Sequence, residues 1–137
     1  GELNDNGMCF ACGRENSHGL RMQVRYQDDK ALCDITLSEQ FQGWRQIAHG
    51  GVVSTMLDEI MAYAVLHYAK PGVTISMETK FRKAVPLGEP LRVAGWIGPS
   101  PPTIQTTQAQ CGRERETTWP TRNKKKKPFP RTFGKAR

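Results

Sequence analysis

Apolar and polar residues alternate along two neighbouring stretches near the start of this chain. Leu20–Gln27 alternates regularly between the two kinds, as half-buried strands do, and Ala31–Leu37 has the composition of a second strand. The residues between them, Asp28-Asp29-Lys30, are turn formers. The pattern therefore predicts a β-hairpin over residues 20–37.

The strongest helical signal of the chain lies in Gly51–Ala69. Apolar residues recur there at i, i+3, i+4 and i+7 spacing and form one stripe, which comprises Val53, Met56, Leu57, Ile60, Met61, Ala64 and Tyr68. Pro71-Gly72 is expected to end this helix. The preceding connection, Ser38–Ala48, carries Phe41, Trp44 and Ile47 and is expected to pack against the protein.

More alternating stretches follow the helix. Val73–Phe81 and Leu91–Ile97 are predicted strands, separated by a Pro- and Gly-containing turn, and Thr103–Gln110 gives a weaker strand signal. The order strand, strand, long helix, strand, strand, strand indicates an α+β fold in which an antiparallel sheet wraps one helix.

The length of 137 residues fits one domain. We divide it into an amino-terminal arm or loop (residues 1–19), a folded domain (residues 20–111) and a tail (residues 112–137). The four cysteines are irregularly spaced, which favours free thiols in a reducing cytoplasm over a disulfide scaffold. With no apolar run of membrane-spanning length and no signal peptide at its start, the sequence predicts no membrane association.

The basic charge belongs to the tail. Residues 112–137 have a net charge of +8 and the other residues a net charge of −1, so the overall charge does not indicate a nucleic-acid-binding domain. Three prolines, four consecutive lysines and no apolar period predict a disordered or loosely attached tail. A shifted reading frame in the gene would produce such an abrupt change of composition, and sequencing the gene tests this hypothesis.

The start and the middle of the predicted helix carry the candidate chemistry. Gly50-Gly51 lies where helix amides have no partner and carry partial positive charge, so a ligand oxygen could approach them closely. The alternative is a tight turn without a ligand. Asp58 lies at the border of the apolar stripe and Glu59 on the opposite, more outward side. A half-buried Asp fits a general base, and also an ordinary helix surface residue.

Several of these segments resemble one family. The sequences HGGVVSTMLD (His49–Asp58), FQGW (Phe41–Trp44) and Val73–Leu91 resemble hotdog-fold acyl-CoA thioesterases of the PaaI type, within the 4-hydroxybenzoyl-CoA thioesterase-like superfamily. Cys9–Met22 resembles the amino-terminal arm of one branch of that family. The resemblance implies a hotdog fold and hydrolysis of an acyl-CoA at sites built between the subunits of a homodimer or a dimer of dimers. It implies no cofactor.

The resemblance also implies roles for individual residues. Asp58 would be the general base or nucleophile, the Gly50 amide would polarise the thioester carbonyl beside Gly51, and His49 would help to fix the loop and the substrate. Thr74 would orient water, supplied by the partner subunit. Gly43 stands where some relatives carry an Asn, which leaves that role unfilled or to Gln46. The cations expected near the CoA phosphates are Lys80, Arg82 and Lys83.

Other interpretations stay open from the sequence. Cys9-x-x-Cys12 could form half a zinc site with His18 and Cys33, although one such pair is a weak signal and we expect no metal. The tail could bind nucleic acid or an anionic surface, which we consider the less favoured function. A hotdog protein could also bind acyl-CoA without hydrolysis or act as a dehydratase. The sequence does not identify the acyl group.

Overall fold

The predicted α+β architecture is present in the computed structural model, which describes residues 4–70, 72–99 and 105–116, and the backbone of residues 132–136. One helix, α1 (Gly50–Tyr68), packs against an antiparallel sheet. The sheet has the order β1-β2-β4-β5-β6-β3, and its strands are β1 (Arg25–Gln27), β2 (Lys30–Thr36), β3 (Met77–Phe81), β4 (Pro90–Ile97), β5 (Thr107–Arg113) and β6 (Thr132–Ala136). Short 3₁₀ turns occupy Glu39–Phe41 and Glu114–Glu116.

Helix α1 lies within one residue of its predicted bounds and turns its apolar stripe to the core. Six of the seven predicted stripe residues are buried, and only Tyr68 is exposed, at 36%. The helix crosses β4 so closely that a Cβ at Gly95 would stand 2.8 Å from the Ile60 carbonyl oxygen. A larger residue at this position would push the helix off the sheet.

The hairpin forms as predicted, but its first strand is short. Asp28 and Asp29 both have positive φ, the conformation of a tight two-residue turn between antiparallel strands. Leu20 and Met22 are buried as the alternation requires, yet their amides donate to Phe10 and Ala11 carbonyls of the arm. Leu20 and Met22 therefore bond to the arm and not to β2, and β1 is shorter than predicted.

The strand after the helix is also shorter than predicted. Only Met77–Phe81 pairs in the sheet, and residues 72–76 have no regular secondary structure. Val73 and Ile75 are 72% and 69% exposed. The alternation of this segment therefore does not reflect burial within one chain.

The prediction of a tail without regular structure is wrong in two places. Strand β5 continues to Arg113, two residues into the tail, and β6 (Thr132–Ala136) lies inside the sheet between β5 and β3. Every residue except proline has both a backbone donor and a backbone acceptor. A segment without an alternating pattern can therefore still pair with neighbouring strands. Residues 117–131, with the four consecutive lysines, lie outside the described residues, as do residues 100–104.

Within the described residues, α1 and the 3₁₀ turns include no segment whose length and hydropathy would suit a bilayer crossing.

Candidate functional site

Two loops hold the first turn of α1 in place. The His49 amide donates to the carbonyl of buried Phe41, and the Ala48 amide donates to the Val85 carbonyl, both at 2.8 Å. The Gln46 carbonyl accepts from the Leu87 amide at 3.0 Å. Backbone hydrogen bonds to the loop before α1 and to the connection between β3 and β4 thus fix the start of the helix.

His49 caps the helix with its own ring. Its Nδ1 accepts a hydrogen bond of 2.8 Å from the Gly51 amide, one of the amides that a helix start leaves without an intrahelical partner. A nitrogen that accepts carries no proton, so the neutral ring carries its proton on Nε2. A Cβ at Gly51 would lie 3.0 Å from this Nδ1, so Gly51 makes room for the cap. The cap also takes up the Gly51 amide, which leaves Gly50 to face a ligand.

The Gly50 amide is exposed and has no hydrogen-bond partner among the described residues. The ring of Phe81, at the end of β3, lies beside it, because a Cβ at Gly50 would stand 3.7 Å from Phe81 Cζ. One unpartnered amide at the positive end of a 19-residue helix, next to an apolar ring, is a suitable place for a polarised carbonyl oxygen.

Asp58 is half-buried and has one defined partner. The Thr74 hydroxyl donates a hydrogen bond of 2.8 Å to Asp58 Oδ1. Both residues belong to the same chain, whereas the resemblance implied that the partner subunit supplies Thr74. The bond occupies one carboxylate oxygen and leaves Oδ2 for a water or a substrate.

Within one chain, Asp58 and the Gly50 amide are well separated. Eight residues at about 1.5 Å each put them about 12 Å apart along the helix. A thioester carbonyl carbon lies within a few ångströms of both its oxygen and the attacking water. One helix therefore supplies only half of a site for attack on a carbonyl.

Gln46 and Gly43 shape the loop before α1, and neither has a reactive group placed at Asp58 or Gly50 by a described contact. Gln46 is exposed and has a positive φ, and its backbone amide donates a hydrogen bond of 3.0 Å to Gln42 Oε1. A Cβ at Gly43 would approach His49 Cα to 2.9 Å. The Asn of some relatives would not fit at residue 43 without a shift of the backbone.

The predicted phosphate-binding cations are close in sequence to a residue that lies beside the glycine end of α1. Lys80, Arg82 and Lys83 are exposed and flank Phe81, which packs beside Gly50. Lys80 forms a long ion pair of 3.8 Å with Glu78, and both side chains are exposed. Such a pair is weak in water and would yield to a phosphate.

A separate cleft of about 630 Å³ lies among Glu89, Pro90, Arg92, Arg113, Glu114 and Arg115. Arg92 pairs there with Asp34 and Glu114, and Arg113 pairs with Glu89. Since these guanidinium groups already have carboxylate partners and none of the candidate site residues lines the cleft, we assign it no part in the chemistry.

The arm brings Cys9 and Cys12 to Glu59 of α1. One oxygen or sulfur of each lies within 4.8 Å of the others. Burial, followed by hydrogen bonding to Glu59, raises the pKa of Cys12 to about 12. The partners suggested from the sequence are elsewhere: His18 is exposed, and Cys33 is buried in β2, where burial raises its pKa to about 11. Sequence reasoning placed Glu59 on the outward side of the helix and missed that the arm covers it.

One segment of this chain matches a known protein family. Residues 46–99, which include the helix and the candidate residues, match the family described as the thioesterase superfamily. Among curated proteins, no sequence matches this chain significantly.

Solved structures show the same fold. The crystal structure of a thioesterase superfamily protein matches with a TM-score of 0.81 and 21% identity over 95% of this chain, which spans only 59% of that protein. Escherichia coli PaaI, from the phenylacetic acid degradation operon, matches with a TM-score of 0.68 and 15% identity over 85% of this chain and 81% of its own. A Streptococcus mutans protein bound to acetyl-CoA matches with a TM-score of 0.67 and 13% identity over 84% of each chain. The fold that the sequence resemblance implied is confirmed: this chain has the hotdog fold of these thioesterase superfamily structures.

Proposed function

We propose that this protein hydrolyses an acyl-CoA thioester, with Asp58 as general base. The observation that carries the proposal is the 2.8 Å hydrogen bond from Thr74 to Oδ1 of the half-buried Asp58. It fixes the carboxylate and leaves Oδ2 to bind the attacking water. The match of residues 46–99 to the thioesterase superfamily supports this type of reaction.

The reaction needs few groups. Asp58 Oδ2 takes a proton from water while the water oxygen bonds to the thioester carbon. The oxygen of the carbonyl becomes negative, and the Gly50 amide together with the helix dipole stabilises this charge. The C–S bond then breaks, and the proton on Asp58 passes to the departing CoA thiolate. Since a thiolate leaves readily, the reaction requires no further nucleophile activated by histidine.

The separation of about 12 Å along the helix between Asp58 and the Gly50 amide supports a site shared by two chains. In a twofold dimer, the Asp58 of one chain can face the Gly50 amide of the other, and each dimer then has two equal sites. Exposed Val73 and Ile75 flank Thr74 at this side of the molecule, and a second copy would cover them.

Coenzyme A is the expected carrier of the acyl group. The Streptococcus mutans structure of the same fold holds acetyl-CoA, and exposed Lys80 and Lys83 lie within two residues of Phe81, whose ring is beside Gly50. The four cysteines are free thiols, which suits catalysis in the reducing cytoplasm. The proposal leaves the acyl group open, and a panel of acyl-CoA thioesters with a thiol-release assay identifies it.

Asp58→Asn tests the role of the base. The amide keeps the size and the contact with Thr74 but cannot take a proton, so turnover should fall by about 10²–10⁴-fold. Glu39→Gln is the matched control, because Glu39 is an exposed carboxylate in a 3₁₀ turn and is not one of the candidate site residues. Unchanged turnover in a folded Asp58→Asn protein would overturn the proposal.

Complementation tests the shared site. Asp58→Asn and Gly50→Val should each be inactive alone, because one lacks the base and the other blocks the carbonyl cradle. Random reassociation of the two should restore about a quarter of wild-type turnover, since half of the dimers then contain one intact site. If the mixture stays inactive although mixed dimers form, the two groups do not act across the interface.

A further inference from the structure

The amino-terminal arm meets helix α1 at one polar cluster. Cys9 and Cys12 come from the arm and Glu59 from the helix, 47 residues beyond Cys12 in the sequence. All three side chains are half-buried, and their ligand atoms lie within 4.8 Å of one another. Over the described residues, this is the one group of at least three His, Cys, Asp or Glu side chains that comes together so closely.

The arm folds so that its two sulfurs face the same point. The Gly13 amide donates to the Cys9 carbonyl at 2.8 Å, which closes a tight turn around the two cysteines. The Cys12 amide points at Cys9 Sγ, at 3.5 Å. An amide directed at sulfur stabilises a thiolate and orients it toward a metal. The turn thus orients the Cys9 sulfur for metal binding in the absence of an ion.

The distances suit a small tetrahedral ion. Zn–S bonds of about 2.3 Å and a Zn–O bond of about 2.1 Å place a sulfur and an oxygen about 3.6 Å apart around a tetrahedral centre. Cys9 Sγ and Glu59 Oε1 are 3.7 Å apart. This pair is already at the tetrahedral separation, and the Cys12 sulfur lies within 4.8 Å of both atoms, so small side-chain movements would close the three ligands on an ion.

We propose that Cys9, Cys12 and Glu59 bind a zinc ion that fastens the arm to helix α1. Two thiolates and one carboxylate favour zinc over magnesium or calcium, which prefer ligand sets made of oxygen alone. As the two Zn–S bonds form, the thiol protons pass to solvent, and a water completes the fourth position. Tyr63, one helical turn beyond Glu59, lies within hydrogen-bonding reach of Cys12.

The zinc site is distinct from the proposed catalytic site. Asp58 and Glu59 are neighbours in sequence but lie about 100° apart around the helix, with Thr74 against one and the arm against the other. The ion would therefore be structural. It would hold the arm, whose Ala11 belongs to the buried core, against the outer face of α1.

Metal content and cobalt spectroscopy test the proposal directly. The full chain, purified with a thiol reductant, should bind one zinc per chain, and replacement by Co²⁺ should give sulfur-to-cobalt charge-transfer absorption. Cys9→Ser/Cys12→Ser should abolish both signals. Glu59→Gln, which leaves the arm intact, should weaken zinc affinity by at least about 100-fold, more than the loss of an outer hydrogen-bond partner. Glu39→Gln should bind zinc like the wild type.

Proteolysis tests what the ion holds. Arg14 is an exposed trypsin site in the arm, and removal of zinc by a chelator should accelerate cleavage there in the wild type but not in Cys9→Ser/Cys12→Ser. A reduced wild-type chain that takes up no zinc overturns the proposal, and so does a double variant that still binds it. Glu59→Gln with unchanged zinc affinity also contradicts it, since the helix would then supply no ligand.

Discussion

Thr74 Oγ1 donates a hydrogen bond of 2.8 Å to Asp58 Oδ1 within one chain. Asp58 is in the middle of α1, whereas Thr74 is in the exposed segment that connects α1 to β3. The position of the proposed base therefore depends on where the chain goes after the helix ends.

We expect Thr74→Val to lower turnover while leaving substrate binding largely unchanged. A hydrogen bond to a charged group contributes about 1.5–3 kcal/mol, so its loss from the reacting state predicts a fall in kcat of about 10–100-fold. Thr36→Val, at the exposed end of β2, is the matched control. Steady-state kinetics measure kcat and KM for both variants. A Thr74→Val enzyme with wild-type kcat would show that Thr74 has no role in turnover.

Gly50→Ala should separate stability from activity. A Cβ at Gly50 meets Phe81 only at ordinary contact distance, 3.7 Å, and alanine is the better helix former by about 0.5–1 kcal/mol. The variant should therefore be as stable as the wild type or slightly more so, yet hydrolyse acyl-CoA at least about 10-fold more slowly, because the methyl group obstructs the carbonyl. Gly98→Ala serves as control, with its nearest contact at 3.4 Å. Equal activity in Gly50→Ala would mean that the substrate does not approach this amide.

Truncation after Glu116 should destabilise the whole sheet. Strand β6 lies between β5 and β3, so its removal detaches β3 and exposes part of the helix. The two ladders that β6 forms connect ten pairs of residues. We expect the truncated chain to lose cooperative thermal unfolding or to unfold at a markedly lower Tm, measured by circular dichroism. A truncated protein that unfolds like the full chain would show that β6 contributes no stability.

Asp34 should make the fold sensitive to acid. Arg92, directly opposite on β4, donates two hydrogen bonds to Asp34, at 2.7 and 3.1 Å, and Arg25 pairs with it at 3.0 Å. The hydrogen bond from Arg92 is the main cause that holds the pKa of Asp34 below its ordinary value of 3.8. Because the folded-state pKa is the lower one, this contribution is present above about pH 4 and is lost as the pH falls through the folded-state pKa.

Urea unfolding from about pH 6 to about pH 3 checks this expectation. The free energy of unfolding of the wild type should exceed that of Asp34→Asn at the upper end, and the difference should shrink toward the lower end. Glu39→Gln, which has no such ion pair among the described contacts, should follow the wild type throughout. A constant difference between Asp34→Asn and the wild type would contradict the assignment.

The core of the fold was predictable because its signals are local. The stripe from Val53 to Ala64 and the turn at Asp28-Asp29 each depend on residues close in sequence, and the structure has both nearly where they were expected. Strand β6 was missed because it carries no alternation, and its place depends on the free edges of β5 and β3. Exposed Val73 and Ile75 show the opposite error, since they alternate as in a strand that this chain alone does not form.

The candidate site divides in the same way. His49, Gly50 and Gly51 are adjacent, so their common place at the helix start follows from the sequence. The hydrogen bond between Asp58 and Thr74 spans 16 residues, and only the resemblance suggested Thr74. The approach of Cys9 to Glu59 spans 50 residues. Nothing in the local pattern of either segment could indicate it, because it depends on how the arm crosses the helix.

The place of β6 has a consequence for the order in which the fold can assemble. Among the described strands, β3 pairs with β6 alone. Strands β1, β2, β4 and β5 can form a four-stranded ladder against the helix before β6 docks, but β3 has no partner until then. Thr74 should therefore settle beside Asp58 only after β6 has joined the sheet, so hydrolytic activity should return last when the unfolded protein refolds.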